Sequence, residues 1–274
     1  MHHHPTFEEG RQVNSRYLIV NADDFGCSPQ VNEGICEAYQ HGVVTDASLL
    51  VRSPWAQHAL QAARKARFAV GIHLDFVTPY VEDRGVDFGP NGKLVKELFF
   101  REYEHQTGTP LSAEQLLHVR DEMRSQVNDF ISLAGRLPSH LDYHFGMHYV
   151  PEIMAVYLIV AEEYGIPARW CCQYAKHISP YDLSPDCICD QFRGVAGGGE
   201  ELFLDLVCKP WLGIFEMMCH PGYYTPGGLL DEYNREREYE LDILTNPRLK
   251  SELLKEGIQL VNYDWLKDNS ALPK

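Results

Sequence analysis

Short apolar runs alternate with amphipathic stretches along the whole chain, the pattern of an α/β protein. Tyr17–Val20 is rich in β-formers and predicts a first strand. After a polar turn, Ser28 and Pro29 predict an N-cap and first helical residue, Val31, Ile35, Ala38 and Tyr39 recur at helical spacing, and Gly42 supplies the stop. Val43–Val51 and Phe68–Leu74 predict the next two strands, separated by a helix opening at Ser53-Pro54 and carried by Trp55, Ala59, Leu60 and Ala63. Thr78–Thr109 contains Pro79, Pro90, Asn91-Gly92 and Gly108, and reads as a long irregular excursion over one end of the domain. Ser112 with Gln115 predicts a capping box for a long helix, followed by a strand over Leu137–Leu141. A helix over Pro151–Tyr164 ends at Gly165, and Ala168–Cys172 predicts a strand. Then come a helix over Glu200–Cys208, a strand over Ile214–Cys219 and a charged surface helix over Leu229–Leu244. Asn246-Pro247 opens a last helix that stops at Gly257, before a final strand, Ile258–Asn262.

About seven βα units fit either a doubly wound open sheet or a TIM-like (β/α) barrel, complete or partial. No G-x-G-x-x-G or Walker A sequence follows any strand, so the nucleotide-binding open sheets lose support and an incomplete barrel of about seven strands is expected. The expected organisation is a loose or tag-like tail over residues 1–15, with His2, His3 and His4, and one barrel domain over 16–274.

Composition narrows the partners. Lys and Arg total 24 against 39 Asp and Glu, a net charge of −15, which disfavours nucleic acid and anionic membranes. The 8 cysteines include no C-x-x-C pair, and the polar opening lacks the apolar run of a secretory signal, so they read as small buried hydrophobes in a reducing compartment. No run of about 18 apolar residues predicts a membrane span. A soluble cytoplasmic protein is expected, with a homodimer compatible with such a barrel.

The candidate chemistry sits in phase with the strands. Strand one runs into Asn21-Ala22-Asp23-Asp24-Phe25-Gly26, strand three ends in His73-Leu74-Asp75, and strand four ends in His140-Leu141-Asp142-Tyr143-His144 with His148 beyond. The strand Ile214–Cys219 ends in His220-Pro221-Gly222. All four groups lie at strand carboxyl ends, where α/β barrels build active sites. An isolated Asp-Asp pair is more often a turn or cap. Here, adjacent carboxylates leaving a strand are expected to point in opposite directions, so one can ligate a metal while the other acts as a base. His73 and His144 are the natural nitrogen partners, and one carboxylate with two imidazoles makes a catalytic rather than a structural metal site.

At these residues the sequence resembles the YdjC-like carbohydrate deacetylases. The resemblance runs through Tyr17–Gly26 (YLIVNADDFG), Gly42-Val43-Val44-Thr45, Gly71-Ile72-His73-Leu74, Pro138-Ser139-His140-Leu141-Asp142, Gly165-Ile166-Pro167 before Arg169, and Met218–Gly222. It implies a TIM-barrel-like fold and metal-dependent removal of an acetyl group from an N-acetylated sugar. Carried over by position, it implies Asp24, His73 and His144 as ligands of a divalent cation (Mg2+ or Zn2+), Asp23 as general base and His220 as general acid. Arg169, Tyr143, His140 and His148 are expected substrate contacts, and Asp142 or Asp75 an orienting partner for an imidazole. One departure stands out: the family usually continues with two further histidines after the position of His144, where this chain has Phe145-Gly146. The rivals are a glycoside hydrolase, another barrel metallohydrolase, and a sugar-binding module that has lost catalysis.

Overall fold

The computed structural model describes residues 15–76, 92–99, 110–147, 150–169, 183–192, 199–209, 211–225 and 231–269. Its organising element is β1 (Arg16–Phe25), buried at every position after Arg16. A strand so enclosed needs partners on both edges and cover on both faces, the situation of a parallel sheet. One edge of β1 pairs with β6 (Gly213–Cys219) from Arg16↔Gly213 to Ala22↔Cys219. The other edge is shared: Arg16–Leu18 pair with β7 (Ile258–Leu260), and Asn21–Phe25 with β2 (Asp46–Leu49). Beyond β2 lie β3 (Val70–Leu74) and β4 (Leu141–Tyr143), while β5 (Cys187–Cys189) flanks β6, and every pairing is parallel. Past β4, Leu141 bridges to Ala168, whose N–H donates to Leu183 O on the approach to β5. The sheet therefore curls toward closure, and the expected incomplete (β/α) barrel is the observed fold.

The helices start and stop where the chain chemistry directs. The Ser28 hydroxyl accepts from Val31 N–H at the head of α1 (Pro29–His41), and Gly42 N–H donates back to Ala38 O. After α2 (Ala56–Ala66), the Ser112/Gln115 capping box opens α3 (Ala113–Ala134). Gly165, at φ +61°, closes α4 (Pro151–Tyr164) in the left-handed conformation that glycine adopts without a Cβ penalty. Then follow α5 (Gly199–Cys208), α6 (Asp231–Leu244), α7 (Pro247–Lys255), capped by Asn246, and α8 (Tyr263–Asn269). Residues 92–99 are also helical, within the stretch expected to be irregular. No helix among the described residues is long and apolar enough to cross a membrane.

Several expected boundaries shift. The second and fourth strands are shorter than predicted, and β1 is longer because the polar residues through Phe25 stay in the ladder. Of the strand expected over Ala168–Cys172, Ala168 forms the single bridge and residues 170–182 lie outside the described set. The sequence reading missed β5, only three residues long, and α8. The tail over residues 1–14 and His148 also fall outside the described residues.

The two faces of β1 explain where chemistry can sit. Side chains alternate along a strand, so Leu18, Val20 and Ala22 join the large core beneath the helices. Tyr17 and Ile19 face the barrel interior, packing with Ile214, Val261, Tyr263 and Leu266 in a small apolar plug. Asn21 and Asp23 continue that inner row toward the carboxyl end of the strand. The interior is thus apolar below and polar above.

Candidate metal centre

Asp23 lies on the inner face by alternation, but Asp24 should then point away. It does not. The β1–β2 register slips between Ala22 and Phe25, and Asp24 has φ +65°, a left-handed conformation that Asp tolerates better than most residues. The irregularity re-aims the side chain, so both carboxylates reach one histidine: Asp24 Oδ1 lies 3.4 Å and Asp23 Oδ2 3.9 Å from His73 Nε2. The expectation that the two carboxylates point in opposite directions is corrected by this bulge.

The β3–β4 register places His73 beside Asp142. Asp142 Oδ1 holds His73 Nδ1 at 2.7 Å, with Ser48 Oγ at 3.2 Å from the same nitrogen, so Nε2 is the atom turned to the centre. Residue 144 follows β4 directly, its N–H donating to Leu74 O. His144 Nδ1 stands 3.0 Å from Asp24 Oδ1 and 3.2 Å from His73 Nε2. Among the described residues, Asp24, His73 and His144 therefore form one of two groups whose donor atoms could hold an ion, the other being Asp23, His73 and Asp142. Asp24 Oδ1 is buried yet makes no hydrogen bond. A buried carboxylate oxygen whose near neighbours are imidazole nitrogens at 3.0 and 3.4 Å, with no well-formed hydrogen bond, is one that a cation would satisfy. Three donors 3.0–3.4 Å apart suit ligands sharing one ion at bond lengths of about 2.0–2.2 Å. The residues present fit a divalent cation.

The surroundings are charged and dry. Burial works to raise the Asp24 pKa, but Arg237 and His144 hold it well below the usual carboxylate range. Burial works to lower that of His73, but Asp142 and Asp23 carry it well above the usual imidazole value. His144 is raised against burial chiefly by Asp24. The β1–β6 register brings His220, one residue past Cys219, beside Asp23. Burial pushes the His220 pKa down to about 4, against the pull of Asp23 and Asp24.

Arg169 is not a surface group that grips sugar. It is fully buried, and its fork donates to both oxygens of Asp23 at 2.7 Å each, while Nε donates to Glu216 at 2.9 Å. Its donors are spent on carboxylates, so it orients Asp23. Tyr143, 3% exposed, lies beneath that guanidinium, 5.9 Å from ring to Cζ. His140 is fully buried and stacks on Tyr263, so the structure places neither of these expected substrate contacts at the surface. Phe145 is half-exposed at φ +62°, next to His144.

Sequence reasoning did not single out Glu216, Asn21, Ser48 or Arg237. Glu216 carried a signal, a carboxylate inside the otherwise apolar GIFEMMC strand. Arg237 carried almost none, because α6 reads as a solvated charged helix, yet its guanidinium donates to Asp24 Oδ2 at 2.5 Å.

Comparison with known proteins finds relatives that match most of this chain. A chitooligosaccharide deacetylase from Serratia marcescens is 33% identical over 92% of this chain and 99% of its own length. A carbohydrate deacetylase from Geobacillus stearothermophilus is 35% identical over 90% of this chain and 97% of its own. A crystal structure from Enterococcus faecalis V583, provisionally described as a cellobiose-phosphate cleavage protein, shares the fold with a TM-score of 0.72 at 28% identity, covering 92% of this chain and 99% of that one. The family described as YdjC-like protein matches residues 17–255, so the chain belongs to the YdjC-like family.

Proposed function

We propose that the protein is a metal-dependent deacetylase that hydrolyses the acetamide of an N-acetylated sugar, of the N-acetylglucosamine type, as a mono- or oligosaccharide. The observation that carries this reading is the convergence of His73 and His144 on the buried Oδ1 of Asp24, with Asp23 clamped alongside by Arg169. Relatives named as carbohydrate and chitooligosaccharide deacetylases support the substrate class.

Asp24, His73 and His144 would hold the cation. When bound it supplies a Lewis acid that polarises the acetyl carbonyl and acidifies water, and two imidazoles with one carboxylate favour zinc over magnesium. Asp23 is the base, and its reactive atom can be named. Its Oδ1 already accepts from Arg169 and from Asn21 at 2.8 Å, whereas Oδ2, among the described residues, accepts from Arg169 alone and faces His73. The proton therefore goes to Oδ2. His220 protonates the departing amine, which is a poor leaving group otherwise. With a pKa near 4 it starts neutral at pH 7, so the proton it delivers to the amine is the one that Asp23 takes from the attacking water and passes on to it. Phe145 and Tyr223, both partly exposed near the strand ends, offer ring faces for a pyranose. A glycoside hydrolase needs two carboxyls facing each other across the substrate, whereas Asp23 and Asp24 converge on one histidine.

The test is acetate release from N-acetylated mono- and disaccharides, with chelator and with zinc or magnesium added back. Asp24→Ala and His144→Ala should lose bound metal and activity together, and Asp23→Asn should keep the metal while losing turnover. Normal acetate release by Asp23→Asn would remove the base assignment. Release of reducing sugar without acetate would favour the glycosidase.

A further inference from the structure

Asp24 is held from two sides. Its Oδ1 is turned to His73 and His144, while its Oδ2 accepts from Arg237 Nη2, from a residue 213 positions later in the chain. Arg237 is 2% exposed. Burying a guanidinium costs several kcal/mol before its partners repay it. A charged helix on the barrel exterior has no packing need for that cost.

The helix also grips the segment that follows β6. Asn234, Arg237 and Glu240 recur every three residues on one face of α6, and all three are buried. Asn234 accepts from Thr225 N–H and donates to Thr225 O, the Arg237 carbonyl accepts from Gly222 N–H at 3.1 Å, and Glu240 Oε2 accepts from His220 N–H at 2.5 Å. One helix face therefore fixes a carboxylate of the centre and the backbone that carries His220.

We propose that Arg237 is a positioning residue of the metal centre. With Oδ2 occupied, Asp24 can offer only Oδ1, which keeps its ligation monodentate and leaves coordination positions for water and substrate. This inference rests on the metal reading of the cluster.

The experiment is cobalt(II) binding, followed by the visible spectrum, whose intensity reports coordination number, and by competition with a chelator. Arg237→Met should weaken binding 10- to 100-fold, the usual cost of losing a partner that orients a ligand, and should change the spectrum as Asp24 becomes bidentate. Arg237→Gln keeps a neutral donor and should show a smaller change in the same direction. Glu240→Gln, at the carboxylate that accepts from the His220 N–H, should keep the affinity and spectrum of the unaltered protein. If Arg237→Met does not fold, Arg237→Gln decides. Unaltered affinity and spectrum in the Arg237 variants overturn the proposal, as does an equal change in Glu240→Gln, which would reduce the whole face to scaffolding. If the unaltered protein binds no cobalt, the metal reading falls and this inference with it.

Discussion

One methyl group at Gly71 should disturb the barrel interior out of proportion to its size. A Cβ built there would stand 2.5 Å from each ring nitrogen of His140 and closer still to Cε1. Ordinary carbon contacts are about 3.5–4.0 Å, so the ring must retreat by roughly 1 Å or more. It has nowhere to go. His140 is fully buried and stacked on Tyr263, with centroids 3.9 Å apart and planes 13° from parallel. Tyr263 in turn donates to Glu216 Oε2 at 2.6 Å, and Glu216 braces Arg169, which clamps Asp23. Overpacking of this kind costs about 1–3 kcal/mol, and the upper end applies because the displaced ring is backed by a hydrogen-bonded chain. Alanine recovers about 0.5–1 kcal/mol from the lower entropy of the unfolded chain, leaving a net loss of about 2 kcal/mol. For a chain of this length that is a drop in Tm of about 3–4 °C. Thermal unfolding of the parent, Gly71→Ala, His140→Ala and the double variant measures it. Removing the ring makes room for the methyl, so the double variant should be more stable than the sum of the singles by about 1–2 kcal/mol. A Gly71→Ala variant within about 1 °C of the parent, or strictly additive losses, would refute the reasoning.

Asp142→Asn should reverse the hydrogen bond at His73 Nδ1, drive the proton to Nε2 and weaken metal binding by about 10- to 100-fold without unfolding the chain; unchanged affinity in a metal titration would contradict this. Burial raises the Asp46 pKa from 3.8 to about 7, so the folded state holds a proton there that the unfolded state releases. The associated stability is fully present below about pH 4 and is lost as pH rises toward 7, an effect of up to about 4 kcal/mol. Asp46→Asn should therefore gain on the parent between pH 4 and 7 in denaturant titrations, and a pH-independent difference would refute the shift. Phe145→Gly relieves a left-handed backbone at a non-glycine residue, φ +62°, and should leave Tm no lower while raising KM for the sugar; unchanged KM would remove Phe145 from the binding surface.

The residues that announced themselves in the sequence did so through phase. Asp23-Asp24, His73 and His220 all follow apolar runs, and a run long enough to be a buried strand locates its own carboxyl end, while His144 is two residues past Asp142 at the end of the short strand β4. Caps were equally plain, because Ser28, Ser112 and Gly165 act on backbone groups within four residues. What stayed hidden depends on tertiary packing. Period-two alternation sends Asp24 outward, and only the bulge at Ala22–Phe25 corrects it. Arg169 looked like a sugar contact because nothing local says that three carboxylates from distant strands surround it. Arg237 sits in a helix of alternating charges, where a buried polar face and a solvated one have the same composition. The strand β5 is too short for any periodic signal.

The pairing of β1 has a consequence for synthesis. Of the seven strands β1 leaves the ribosome first, whereas β6 and the lower partner of its other edge, β7, follow last, and Arg237 emerges between them. Until then an apolar strand carrying the acidic pair has one whole edge and half of the other unpaired, a template for aggregation. A nascent chain stalled near residue 210 should accordingly depend on chaperones, and it would own Asp24, His73 and His144 without the sheet edge and guanidinium that steady them. Closure of the sheet around β1 and the fixing of the Asp24, His73 and His144 cluster would then be the same event.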